Sequence, residues 1–382
     1  MTAQTFPILK LPYLAFAHST GFWNPYELYK FSLVSRKTKL IARSVSIKPS
    51  EIALTSYPDY CISITFPTDH GGMWFFYPNE KQPKDEDYYL VDRQIHRKFR
   101  FHCDDLLTKL LEVLEQLLYV FNAELGRVSL QKNPFQCYDS IQIITWINQS
   151  EQKILPSCKF TLRTEYDLLF FFENITKPVD SLFIEVHTET RTHASIFSSS
   201  NVCTANSIVI SFLYRTSYTF IDMLKRFNFV DCKVFKSSWT NKDLNQFLTD
   251  WASERKNCRI RNAEIEISDP IDLNVVLRGL SVKYEDPQTV KRRYDNGKES
   301  FWISGGICVQ PFRKDTLKFA QIQTHVYRKK EENSSVSEEL IRAYEDRRFP
   351  NLGNIGDENE DRELLRLERD RAQTVFSITV FE

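Results

Sequence analysis

Residues 237–251 read SSWTNKDLNQFLTDW, and this stretch specifies one helix of the chain especially well. The hydroxyl of Thr240 can cap a first helical turn, and Asp243 follows three residues later, as in a capping box. Apolar side chains then recur at helical spacing on one face: Leu244, Phe247, Leu248 and Trp251. The stretch therefore predicts a helix over 241–252 that turns one face toward a core.

Short apolar strands alternate with helices on both sides of this stretch. Strands are predicted at 127–130, 158–162, 181–186, 207–212, 232–236 and 263–267. Further helices are predicted at 140–148, 166–173, 218–227 and 272–280. Successive strands begin about 23 to 31 residues apart, near the period of leucine-rich and related solenoid repeats. The full LxxLxLxxN signature is absent, so the subtype stays open, and such units must stack on one another to bury their apolar faces.

The regions outside these repeats have other patterns. Residues 44–102 predict strands and loops, and residues 104–122 carry a leucine stripe at helical spacing behind two aspartates. Beyond Pro287, strands are predicted at 301–310, 317–327 and 374–381. The charged stretch 328–373 is expected to be a solvated insertion, helical near 338–347 and 361–370.

The first 50 residues form a basic helical segment. They hold seven lysines and arginines against the single acid Glu27, a formal charge of +6. Asn24 is a suitable N-cap for a helix that begins at Pro25. A segment this short cannot bury three helical faces by itself, so we expect it to dock onto something.

Composition excludes several functions. The 382 residues carry 50 basic and 50 acidic side chains and only 10 glycines, which weighs against nucleic-acid binding and phosphate loops. The length allows two or three domains of ~150 residues. None of the eight cysteines forms a CxxC pair, and no leader peptide or membrane-length apolar run is found. We expect reduced thiols in the cytoplasm and/or nucleus, and no membrane partner.

The search for chemical sites yields no catalytic constellation, cofactor fingerprint or metal motif. His96, His102 and Cys103 lie close in sequence, but structural roles are favoured over metal binding. Cys308 follows two glycines, and a buried strand thiol is favoured over a nucleophile. The cluster 291–293 is favoured as a solvated loop over a nucleic-acid contact. We expect a chain that is not an enzyme.

Two groups of residues suggest a family. The N-terminus contains Phe6-Pro7-Ile8-Leu9, Leu11-Pro12, Leu14, Asn24-Pro25-Tyr26-Glu27-Leu28, Phe31, Val34-Ser35-Arg36 and Leu40-Ile41, in that order. This segment resembles an F-box, in a nematode form with Arg36-Lys37-Thr38-Lys39 after the VSR turn. The stretch 239–251, together with 292–297, looks like the nematode F-box associated domain, type 2.

The resemblance and the strand–helix pattern together predict a fold class that mixes α+β and α/β. A three-helix F-box at 1–48 would be followed by a connecting β-rich segment at 49–103. A leucine-rich-repeat-like strand–helix solenoid at 104–297 would be the substrate-recognition domain. A β-rich C-terminal end at 298–382 would carry the charged insertion 328–373.

The resemblance also implies a substrate-recognition subunit of an SCF-type (cullin-RING) ubiquitin ligase. The F-box would bind a Skp-family adaptor and, through it, a cullin, while the C-terminal domain would hold an unknown protein target. The adaptor-binding residues would be Leu11, Pro12, Leu14, Pro25, Leu28, Phe31, Val34 and Leu40. Two rivals stay open: a repeat scaffold unrelated to ubiquitin, and a hydrolase or transferase with dispersed catalytic residues.

Overall fold

The chain forms two compact units, residues 1–160 and 161–382, in a computed structural model. The structure describes residues 15, 18, 23–45, 47–56, 59–67, 72–79, 87–91, 94–102, 105–131, 137–162, 170–171, 174–187, 203–212, 227–253, 259–267, 270–312, 318–324, 331, 335–336, 338–348 and 374–381. The boundary between the units lies inside the expected recognition domain 104–297. The finer segment limits given above stay predictions.

Among its described residues, the first unit combines four helices of eight or more residues with a mixed sheet. Its helices are α1 Pro25–Ser32, α2 Arg36–Val45, α3 Leu106–Val120 and α4 Cys137–Gln149. Its strands are β1 Glu51–Thr55, β2 Cys61–Thr65, β3 Met73–Asn79, β4 Asp87–Val91, β5 Gln94–His102, β6 Arg127–Gln131 and β7 Leu155–Leu162, whose last two residues pass the unit boundary. The strand order is β7-β6-β1-β2-β3-β5-β4. Pairs β1–β6 and β3–β5 are parallel, whereas β1–β2, β2–β3 and β4–β5 are antiparallel.

Helix α3 is the centre of the first unit. Its leucine stripe is buried against β2 and β3, and Leu110, Leu114 and Leu117 are fully buried. The helix begins at Leu106 because the Asp105 side chain accepts a 3.1 Å hydrogen bond from the Thr108 N–H, which makes Asp105 the N-cap. Helices α1 and α2 pack on α3. The helix that the leucine stripe at 104–122 predicts is therefore confirmed, and it supports the N-terminal helices.

The second unit contains a mixed sheet and a separate hairpin. Its strands are β8 Val179–Val186, β9 Cys203–Phe212, β10 Phe227–Asn228, β11 Asp231–Phe235, β12 Asn262–Ile267, β13 Ser281–Tyr284, β14 Lys291–Asp295, β15 Ser300–Ser304, β16 Ile307–Gln310, β17 Phe319–Gln323 and β18 Thr374–Phe381. Its helices include α5 Asn241–Ala252, α6 Leu273–Val276 and α7 Glu338–Arg348. The sheet order is β13-β16-β17-β18-β12-β11-β9-β8, and β14 pairs only with β15.

Part of this sheet is parallel, and the short β10 also pairs in parallel with β9. Strands β8, β9, β11 and β12 run in one direction, with Ser181, Ser207, Asp231 and Asn262 at the same level. Helix α5 connects β11 to β12 and begins with the capping box expected at Thr240 and Asp243. All six strands of the strand–helix pattern are confirmed, whereas a solenoid arrangement stays a prediction.

Two local predictions are wrong, each for an identifiable reason, and a third falls almost wholly outside the described residues. The strand expected at 301–310 is divided into β15 and β16 at Gly305 and Gly306. The backbone of Gly305 passes so close to the Asp286 carbonyl that a Cβ would lie 2.6 Å from its oxygen, and Gly306 has a φ of +142°, which favours glycine. The helix expected at 272–280 is only α6, which ends before the turn at Gly279, where φ is +78°. Phe227 belongs to β10, and the rest of the helix expected at 218–227 lies outside the described residues.

Candidate protein-binding surface

The hairpin of α1 and α2 begins with a capping box. The Asn24 side chain accepts a 2.9 Å hydrogen bond from the Glu27 N–H, and the Asn24 N–H donates to the Glu27 carboxylate at 2.8 Å. Pro25 occupies the first helical position, where its missing N–H costs nothing. The local sequence thus starts α1 where the pattern predicted it.

The turn between the two helices is closed by a second reciprocal pair. The Ser35 N–H donates to the Thr38 hydroxyl at 2.8 Å, and the Thr38 N–H donates to the Ser35 hydroxyl at 3.2 Å. Thr38 is 1% exposed, so this turn is held by a buried threonine. These bonds therefore cap the first turn of α2.

The inner face of the hairpin packs on α3. Leu28 and Ala42 are buried, and the Gln116 side-chain amide donates a 2.7 Å hydrogen bond to the Ser32 hydroxyl. On α2, the Lys39 ammonium and the Arg43 guanidinium each lie 4.5 Å from the ring centre of Tyr119. The hairpin is therefore anchored by apolar, polar and cation–π contacts within the first unit.

The outer face of the hairpin exposes large apolar side chains. Leu33, Val34 and Leu40 are 57%, 72% and 60% exposed, and we refer to these three residues as the hairpin patch. Arg36 and Lys37 are exposed beside them on α2. Leu33 and Val34 are consecutive in the chain, and exposed hydrophobic groups that lie together are typical of protein-binding surfaces.

The structure separates the predicted adaptor-binding residues into three sets. Pro25 and Leu28 are buried, and Phe31 is half-buried with its ring edge-on to Trp23, the ring centres being 5.0 Å apart. Val34 and Leu40 belong to the exposed hairpin patch. Leu11, Pro12 and Leu14 lie outside the described residues. Which of the eight bind an adaptor stays a prediction.

Leu33 is a member of the hairpin patch that sequence reasoning did not choose. It is adjacent to Val34 at the C-terminal cap of α1, and its N–H donates to the Lys30 carbonyl. Helical spacing identified both residues as apolar, but it could not show that the chain turns there and directs them outward. The only available signal was two consecutive apolar residues before the Ser-Arg turn.

Cys308 is a buried thiol on β16, as expected. It is 2% exposed, and its thiol donates to the Glu285 carboxylate at 3.2 Å. Burial, reinforced by this carboxylate, raises the pKa of Cys308 to about 12. The thiolate population needed for nucleophilic attack is therefore very small at neutral pH.

The basic cluster at 291–293 forms strand β14, so the loop predicted there is wrong. Arg292 makes a 2.6 Å ion pair with Glu285 and lies 4.5 Å from the Phe319 ring centre. Tyr294, beside the cluster, is 4% exposed and stacks on Phe301. Strand pairing and these contacts account for the cluster without a nucleic acid.

The preference for structural roles at His96, His102 and Cys103 stays a prediction. Among the described residues, no group of three or more histidine, cysteine, aspartate or glutamate side chains could hold a metal ion. His96 and His102 lie on β5, and Cys103 lies outside the described residues. Within the part of the chain that the structure describes, no helix is long and apolar enough to span a membrane.

Comparison with known proteins gives one relative. The chain is similar to the Skn-1 dependent zygotic transcript 15 protein of Caenorhabditis elegans, with 21% identity over 336 residues that cover 83% of this chain and 94% of the relative. No protein-family model matches the chain, and no solved structure matches it. The nematode origin of this relative agrees with the nematode family that the sequence resembles, whereas an F-box domain in this chain stays a proposal.

Proposed function

We propose that this chain is the substrate-recognition subunit of an SCF-type ubiquitin ligase. Its N-terminal helices would bind a Skp-family adaptor, which links the chain to a cullin, and the remainder would bind a protein target. The receptor itself would carry out no bond chemistry. It would act by holding target lysines near a charged ubiquitin-conjugating enzyme, which raises their effective concentration.

The observation that carries the proposal is the hairpin patch. Three large apolar side chains are exposed on a hairpin whose inner face is already packed on α3. Exposing such groups is unfavourable in water, at about 25 cal/mol per Å² of apolar surface, unless a partner covers them. The helices that expose them are those whose sequence resembles an F-box.

The positive charge of the N-terminal segment also supports an adaptor as the binding partner. Seven basic side chains against one acidic one in the first 50 residues suit an acidic adaptor surface and would mainly accelerate encounter. The chain as a whole is neutral, so neither a nucleic acid nor a membrane belongs to the proposal. A receptor of this class would work in the cytoplasm and/or nucleus.

Co-purification tests the proposal. The full chain and its Val34→Asp/Leu40→Asp variant would be incubated with purified nematode Skp-family adaptors, and the dissociation constants measured. Residues at the centre of an interface cost about 1–2 kcal/mol or more each when they are disrupted, so we expect about a 100-fold loss of affinity in the double variant. Ile154→Asp is the matched control, since Ile154 is 52% exposed and lies away from the hairpin in the sequence.

The outcomes separate the receptor from its rivals. Retained affinity in Ile154→Asp and lost affinity in the double variant would support the proposal, provided that melting temperatures are unchanged. If the wild-type chain captures no adaptor, the ubiquitin-independent repeat scaffold is favoured instead. If wild type and double variant bind equally well, the hairpin patch is not the adaptor site.

A further inference from the structure

A polar cleft lies in the second unit where β8, β11 and β12 begin, beside residues 206–207 of β9. In the four parallel strands, Ser181, Ser207, Asp231 and Asn262 lie at the same level. The residue just before each of these lines the cleft: Asp180, Asn206, Val230 and Arg261. The ladder continues to this level, since the Val230 N–H donates to the Asn206 carbonyl and the Arg261 N–H to the Val230 carbonyl. The cleft measures about 460 Å³.

The β14–β15 hairpin closes one side of the cleft. Its turn is rigid, because the Asn296 side-chain oxygen accepts hydrogen bonds from the N–H groups of Lys298 and Glu299 at 2.9 and 2.6 Å. From this turn the Asn296 amide donates to Asp231 at 2.7 Å, and the Tyr294 hydroxyl donates to the other Asp231 oxygen. The hairpin is therefore fixed over the start of β11.

The two carboxylates of the cleft are already satisfied. The Lys298 ammonium lies 2.6 Å from one Asp180 oxygen, and the Asn206 amide donates to the other at 2.9 Å. Burial opposes the charge on Asp180, but these hydrogen bonds outweigh it and hold the pKa of Asp180 below its usual value. Asp231 is likewise bonded through both oxygens.

Among the described residues that line the cleft, cations outnumber carboxylates by four to two. The cationic lining residues are Arg259, Arg261, Lys298 and Lys318, and the acidic ones are Asp180 and Asp231. Arg259 donates to Asn206 at 3.3 Å, and Arg261 is exposed at the rim. With both carboxylates occupied, an incoming anion meets a net positive cleft that contains two guanidinium groups, which suit bidentate carboxylate binding.

We propose that this cleft binds an acidic peptide segment of a protein partner, with a carboxylate held between Arg259 and Arg261. A peptide fits better than a nucleic acid, because none of the described lining residues is aromatic and two carboxylates interrupt the cations. A role of this cleft in selecting ubiquitination targets rests on the receptor function proposed above. Its ligand class is argued from the cleft alone.

Fluorescence anisotropy on the full chain tests the proposal. The probes would be a labelled octaglutamate peptide, an octalysine peptide, a neutral glycine–serine peptide and a labelled oligothymidylate. We expect saturable, salt-sensitive binding of octaglutamate that weakens about tenfold in Arg261→Gln, the loss of one charge-assisted hydrogen bond. The matched control is Arg278→Gln, because Arg278 is exposed in the same unit and does not line the cleft.

Each outcome supports or overturns the proposal that the cleft binds an acidic peptide. Binding that is lost in Arg261→Gln and kept in Arg278→Gln supports it. Equal losses in both variants, no octaglutamate binding, or tighter binding of oligothymidylate would overturn it. Because no adaptor is present, the Val34→Asp/Leu40→Asp variant should bind octaglutamate like the wild type, so failure of the cleft and failure of the receptor function are distinguishable.

Discussion

The amide of Gln116 donates a 2.7 Å hydrogen bond to the hydroxyl of Ser32, which precedes it by 84 residues in the chain. Ser32 is 3% exposed and also donates to the Tyr29 carbonyl, so the bond joins the end of α1 to the middle of α3 in a nearly dry setting. Through this contact the long helix determines where the hairpin patch is presented.

Loss of that bond should destabilise the first unit. Ser32→Ala leaves the Gln116 amide without its partner, which should lower the free energy of unfolding by about 1–2 kcal/mol. Urea unfolding followed by circular dichroism would measure the change. Ser44→Ala is the matched control, since Ser44 bonds to Ile41 on the exposed side of α2, and its effect should stay within about 0.5 kcal/mol.

Alanine substitutions at Leu28 and Leu40 should affect different properties, stability in the first case and adaptor binding in the second. Leu28 is 2% exposed, so Leu28→Ala should cost about 2–5 kcal/mol of stability by leaving a cavity. Leu40 is 60% exposed, so Leu40→Ala should change stability by less than about 0.5 kcal/mol. Under the proposed function, Leu40→Ala should nevertheless weaken adaptor binding about tenfold. Unchanged adaptor affinity in a stable Leu40→Ala protein would contradict that assignment.

The Glu285 carboxylate should make stability depend on acidic pH. Burial disfavours its charge, yet hydrogen bonds from Arg292 and Cys308 outweigh this and lower its pKa below the ordinary 4.5. The contribution of the Glu285 carboxylate to the free energy of unfolding is therefore complete above about pH 4.5. It is lost as the pH falls through the lower pKa of the folded state. Glu285→Gln should lower the melting temperature more at pH 7 than at pH 3. An equal decrease at both pH values would contradict this role.

Cys308 should resist alkylation in the folded protein. Because burial raises the pKa of its thiol to about 12, iodoacetamide at pH 8 should leave it unmodified, and labelling should occur once urea unfolds the chain. Peptide mass spectrometry would locate the label. Cys61, whose pKa burial raises to about 11, should behave alike and serves as the internal comparison. Rapid native labelling of Cys308 would instead indicate a reactive thiol and favour the enzyme rival.

Features set by near neighbours in the chain were predictable from the sequence. The starts of α1 and α5 follow from capping boxes at Asn24 and Thr240, whose partners are three residues away. Strand periodicity located all six strands of the repeated pattern, because alternation of buried and exposed residues depends on neighbours along the chain. The fold was less predictable at Gly305, where a close approach to Asp286 interrupts a continuous apolar run.

The sequence by itself determined the capped helices, the apolar strands and the basic N-terminus. Tertiary structure decided which apolar residues stay outside: Leu28 and Leu40 both follow helical spacing, yet one packs inward and the other faces solvent. It also decided that Lys298 meets Asp180, 118 residues earlier, at the edge of the cleft. The reason is that burial and ion pairing depend on which distant segments come together, and one-dimensional spacing carries no record of that.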